Sequence, residues 1–176
     1  MWKHAGVRWE ELFADLERQA EAELAGELDA EVADLAVAED SQVELADRVR
    51  ARLATPVVLG ARGGERVAGE LLDAGSTWFL LGQGRRRVVV PLHAVEWVEA
   101  LAHAAPEQGR AARRLDLGHV LRALAELEGD VAVTTRGRVV VGELTKVGRD
   151  HVDVVERPGG SRVTIPFHAI TSVAER

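Results

Sequence analysis

The sequence predicts an α+β protein in which an N-terminal helical arm precedes two tandem units, each a helix followed by a five-stranded small β-barrel. The first ground is an internal repeat. Val57-Val58-Leu59, a Gly-rich turn, Val67-Ala68-Gly69-Glu70-Leu71, Gly75, Phe79-Leu80-Leu81 and Val88-Val89-Val90-Pro91-Leu92-His93-Ala94-Val95 form one line. Val131-Ala132-Val133, Val140-Val141-Gly142-Glu143-Leu144, Gly148, Val152-Asp153-Val154 and Val163-Thr164-Ile165-Pro166-Phe167-His168-Ala169-Ile170 repeat it in the same order. One supersecondary pattern written twice is the mark of a duplicated domain. The second ground is a helix-period apolar stripe leading into each copy, and the third is a long acidic amphipathic stretch ahead of both.

Residues 1–40 read as the arm. Trp9, Leu12, Phe13, Leu16, Ala20, Leu24, Leu28, Val32 and Leu35 recur every three to four residues and fall on one helical stripe, with carboxylates elsewhere. Such a stripe needs a partner, and Trp9, Leu12, Phe13 and Leu16 are its candidate contact residues. Gly26 inside it costs about 1 kcal/mol relative to Ala. The first unit spans 41–101: Ser41-Gln42-Val43-Glu44 has capping-box spacing, Leu45, Ala46, Val49 and Leu53 follow at helical intervals, and Pro56 ends the helix. Residues 102–114, with Pro106 and Gly109, read as a linker. The second unit spans 115–176, where Asp116 can cap a helix carrying Leu117, Val120, Leu121, Leu124 and Leu127, and Gly129 stops it.

Each unit then offers five short strands. Alternation expects Val88 and Val90 inward with Val89 outward, as Val163 and Ile165 flank Thr164. Gly-containing turns separate the strands, and Pro91-Leu92-His93 or Pro166-Phe167-His168 leaves room for only a tight corner before the last one. Short, strongly bent strands of this kind close best into small barrels.

Composition bounds the function. The chain has 176 residues, 47% of them hydrophobic, which fits one or two small cores of a soluble globular protein. Zero Cys removes disulfides, thiolate catalysis, zinc-thiolate sites and iron–sulfur clusters. The N-terminus reaches charge before any apolar segment forms, and no apolar run approaches the roughly 20 residues needed to span a bilayer, so the expected location is cytoplasmic, without a membrane partner. Arg- and Ala-heavy, Lys-poor usage suggests a GC-rich bacterial genome. The net charge of −7 hides an asymmetry: residues 9–47 hold 14 acidic residues against one basic, Arg18, whereas residues 48–176 hold 19 basic against 15 acidic.

A helix, five bent strands and a tight corner before the last strand resemble the Sm-like (LSm) family, with related SH3-like barrels sharing the pattern. Gly69-x-Leu71 and Gly142-x-Leu144 resemble the start of that family's first motif, and residues 88–98 and 163–173 its second. The resemblance implies two barrels that assemble through strand edges and bind single-stranded RNA. The family's Asp, six positions after that first Gly, is replaced here by Gly75 and Gly148.

The candidate site residues follow from charge and repeat position. In up-and-down barrels the first and third turns share one end, which gathers Arg62, Arg66, Arg85, Arg86 and Arg87 in the first copy and Arg136, Arg138, Arg157 and Arg162 in the second. These clusters suit phosphate, protection of a strand edge, or docking of the acidic arm. Without interleaved aromatics, any nucleic-acid binding is expected to be weak, salt-sensitive and blind to sequence. The loop candidates are Trp78, His93, His151 and His168. A corner His either contacts a ligand or bonds a nearby backbone carbonyl, and Trp78 either stacks on a base or packs on a helix.

No P-loop, dinucleotide fingerprint, Gly-x-Ser-x-Gly or metal-ligand spacing occurs. The expectation is a non-enzymatic binding or assembly protein, with no cofactor and no metal. It acts by homo-oligomerisation or on a protein partner, through the N-terminal helix and barrel edge strands. The alternative is a weak, sequence-nonspecific single-stranded RNA-binding regulator that uses the Arg-rich loops.

Overall fold

The structure is a computed structural model and describes residues 43–101, 115–127 and 129–176. The expected arm over 1–40, with its Trp9, Leu12, Phe13 and Leu16 stripe, and the linker over 102–114 lie outside the described residues.

The first copy begins with helix α1 (Leu45–Arg50), whose N-cap, Glu44, is extended and makes no side-chain cap bond. Ser41, the expected cap, lies outside the described residues. Strands β1 (Pro56–Ala61), β2 (Glu65–Ala74), β3 (Trp78–Gln83) and β4 (Arg86–Pro91) follow as a meander, then a 3₁₀ turn (Leu92–Ala94) and β5 (Val95–Val98). The second copy repeats the order with helix α2 (Leu117–Glu126), β6 (Asp130–Thr135), β7 (Val139–Val147), β8 (His151–Glu156), β9 (Arg162–Pro166), a 3₁₀ turn (Phe167–Ala169) and β10 (Ile170–Glu175). Asp116 caps α2 as its spacing predicts, accepting a 2.9 Å bond from the His119 N–H.

The expectation of two separate Sm-like barrels is overturned. All ten strands belong to one antiparallel sheet, ordered β5-β1-β2-β3-β4-β10-β6-β7-β8-β9, and α1 and α2 are the only α-helices among the described residues. The described chain is a ten-stranded sheet with two short helices. The physical reason lies at β4: an unpaired edge leaves N–H and C=O groups without partners. Here β10 takes that edge, with Val173 opposite Val89 and Ala174 opposite Val88, while β10 also pairs β6. Each outer strand, β5 and β9, has one neighbour among the described strands.

The repeat survives in the backbone. β2 shifts register between Leu71 and Asp73, and β7 does so at the equivalent Leu144 to Lys146, so each long strand bends at the same place. The shared Gly-Glu-Leu also gains a cause. A Cβ on Gly69 would collide with the Gly82 carbonyl oxygen of β3, and one on Gly142 with the Val155 carbonyl oxygen of β8. Both positions therefore need the one residue without a side chain.

Two cores result. Leu59, Leu71, Phe79, Leu81, Val88 and Val90 pack with Val49 of α1 in the first. Leu121 of α2 packs with Val133, Val140, Val152, Val154 and Ile170 in the second, which also takes in Trp78 and Val89 from the first copy. Val89, expected to face outward, is only 1% exposed. β3 and β4 are covered on both faces, and that explains the unbroken Val88-Val89-Val90 run.

Candidate functional site

The junction between the copies collects most of the polar features that the sequence singles out. β5 runs antiparallel to β1, with Ala61 opposite Val95, so the corner before β5 must lie beside the β1–β2 turn. The Arg62 N–H accordingly donates to the Ala94 carbonyl at 2.8 Å. That corner also meets the second copy: His93 Nε2 lies 3.2 Å from the Ile170 carbonyl oxygen. Thr171 and Ser172 beside it are buried polar residues, and both are satisfied. The Thr171 hydroxyl donates to the Thr134 carbonyl at 3.1 Å, and the Ser172 hydroxyl faces both carboxylate oxygens of Glu65 at 3.0 and 3.1 Å.

A cleft of about 360 Å³ opens here, lined by Arg62 from the first copy and by Thr135, Arg136, Gly137, His168 and Ile170 from the second. Its walls are fixed by turns. Thr135 Oγ1 bonds both the carbonyl and the N–H of Arg138, at 2.9 and 3.2 Å, which holds the Arg136-Gly137 tip in place. Partial burial pushes the His93 imidazole below its ordinary value, and the nearby Arg62 and His168 charges push the same way, against the carbonyls of Ile170 and Phe167. Arg62 and Arg136 make no ion pair among the described residues.

Of the arginines expected at one barrel end, Arg62 lies beside the His93 corner and lines this cleft with Arg136. Arg85, Arg86 and Arg87 line a different cleft, of about 480 Å³, with Leu124 of α2, Asp130 and Glu175. Arg87 pairs with Glu175 at 2.8 Å, and Arg138 pairs with Glu156. Arg66 reaches Glu99 at 3.5 Å, and Arg157 bridges Glu143 and Asp130 at 2.7 and 3.4 Å. Arg162 is exposed at the start of β9.

Trp78 cannot serve as a stacking surface. It is 3% exposed, and its Nε1–H donates to the Leu115 carbonyl at 2.9 Å, which pins the start of the second copy to β3. His151 holds the equivalent place in the second copy. Each ring lies over a glycine, Trp78 over Gly75 and His151 over Gly148. His151 is half-buried and bonds the exposed Asp150 carboxylate at 2.8 Å, which lowers the Asp150 value below the ordinary carboxylate range. His168 has no counterpart to the His93 bond among the described residues.

Sequence reasoning missed that Trp78, Leu80 and Val89 form a contact face. The signal was present in the repeat: Leu80 pairs with Val89 across β3–β4, and their equivalents Asp153 and Thr164 pair across β8–β9 with a 2.6 Å side-chain hydrogen bond. An apolar pair in one copy and a polar pair in the other mark a covered face and an uncovered one. Among the described residues no group of His, Asp and Glu is placed to hold a metal ion, and no helix is long and apolar enough to cross a membrane. No known family model matches the chain, and no curated protein matches it.

Proposed function

We propose a non-enzymatic assembly protein that joins like β units by strand-edge pairing, acting on a second copy of itself. The β4–β10 junction carries this reading, because within one chain it shows how two copies of the unit combine. Edge strand meets edge strand, and the outer face of β3–β4 is covered by the neighbour's core. By repeat position, β9 corresponds to β4 and β5 to β10, so the two outer strands are the two halves of one more such junction. A head-to-tail contact of this kind builds rings or filaments. The polar Asp153–Thr164 pair on the free face makes this contact weaker than the one inside the chain.

The test uses the absence of cysteine. The pairing of Val173 with Val89 maps onto Val98 of one molecule opposite Thr164 of another. Directly opposed strand residues lie within disulfide reach, about 4.5–5.5 Å between Cα atoms. A Val98→Cys, Thr164→Cys double variant is expected to form intermolecular disulfides under mild oxidation, and light scattering of the unaltered chain should show mass rising with concentration. A constant monomer mass without crosslinks sinks the proposal.

RNA binding through the Arg-rich loops is the second reading. Arg62, Arg136, Arg85 and Arg86, which have no carboxylate partner among the described residues, favour it. The carboxylates on Arg87, Arg138 and Arg157 and the burial of Trp78 reduce both charge and stacking surface.

A further inference from the structure

We infer that the cleft between the copies, lined by Arg62 from the first and by Arg136 and His168 from the second, is a binding site for a phosphate-class dianion, either inorganic phosphate or a phosphate monoester. This does not rest on the assembly reading.

Arg62 and Arg136, from different repeats, line one opening, and neither has a carboxylate partner among the described residues. Arg66, Arg87, Arg138 and Arg157 are paired, and Arg85 and Arg86 line the other cleft. Glu65, the carboxylate at the base of the Arg62 turn, is engaged by the Ser172 hydroxyl. Guanidinium groups stay charged at every accessible pH, so the local potential is positive whatever the histidines carry. Its effect registers at His93, whose protonated form the Arg62 charge disfavours. Two guanidinium charges against the single nearby Glu65 carboxylate leave a net positive charge that an anion neutralises.

Geometry narrows the anion. A single carboxylate is satisfied by one guanidinium fork, whereas a tetrahedral phosphate presents oxygens to two forks at once and has an oxygen left for the imidazole of His168, which lines the same cleft. The Thr135–Arg138 and Arg62–Ala94 hydrogen bonds hold both turns in position before any ligand arrives, so little ordering cost attaches to binding. Gly137 leaves the rim open, since a Cβ there would meet nothing within 4 Å. The volume of about 360 Å³ exceeds that of a bare phosphate and leaves space for the carbon group of a monoester.

The test is a titration of the full chain with inorganic phosphate at constant ionic strength, followed by the imidazole NMR signals of His93 and His168. Saturable shifts of both signals are expected, with at least tenfold weaker binding in Arg62→Gln and in Arg136→Gln. An Arg85→Gln, Arg86→Gln double variant in the other cleft should bind as the parent does. Non-saturating shifts overturn the inference, as does affinity unchanged in Arg62→Gln and Arg136→Gln or lost equally in the Arg85, Arg86 variant. Binding of single-stranded RNA without binding of inorganic phosphate also overturns it, in favour of an extended backbone track.

Discussion

The outer face of β3–β4 and that of β8–β9 are the same backbone surface with opposite fates. On the first, Trp78, Leu80 and Val89 are covered by the second copy and share its core. On the second, His151, Asp153 and Thr164 take the equivalent places and satisfy one another or their neighbours through polar bonds. Three side chains therefore decide whether this unit presents a docking face or a hydrated one, while the glycines and bulges that shape the strands stay common to both. The two copies share one face by repeat position, and only the first copy's is apolar.

The strongest way to break this asymmetry is to truncate matching residues. Trp78→Ala removes a buried aromatic and its bond to Leu115, and should cost about 3–5 kcal/mol in urea unfolding. His151→Ala should stay within about 0.5 kcal/mol. Equal losses would mean that the second face is covered as well. Alanine at the shared glycines probes what the copies have in common. Gly69→Ala and Gly142→Ala each force a Cβ against a neighbouring carbonyl oxygen, with an expected cost of about 1–3 kcal/mol in both copies. A loss confined to one copy would show that the bends are not equivalent.

The smallest effect is read through pH at the His93 corner, the first copy's side of the junction. His93, held below its ordinary value, is favoured neutral in the folded chain, so the unfolded chain takes up the proton first as pH falls. Its contribution is present above about 6.5 and is lost progressively below. Between pH 7.5 and 5 the parent should therefore lose more stability than His93→Gln. Identical pH slopes for parent and His93→Gln would remove the junction from the pH response.

Much of the local structure was legible in the sequence. The repeat, five strands in each copy, the 3₁₀ corners after Pro91 and Pro166 and the Asp116 cap all follow from spacing and turn chemistry. The union of the copies into one sheet did not. Strand patterning reports which residues within a unit face inward, and Val89 reads as an outward residue until a second sheet half covers it. The valine run Val88-Val89-Val90, set against Val163-Thr164-Ile165, carried that information in its middle residue. Among site residues, Arg62 and His93 were each visible as chemistry. Their proximity depends on β5 lying antiparallel against β1, a long-range pairing that no local window contains.

The late arrival of β10 bears on the chain while it is being made. Glu175 reaches back to Arg87 across 88 residues. At ribosomal speeds of ~5–20 residues per second, the valine edge of β4 waits roughly 4–18 s for the strand that covers it. For that interval it is a bare, β-branched template in a crowded compartment, and Arg85 and Arg86 stand immediately before it as charged gatekeepers against pairing with another nascent chain.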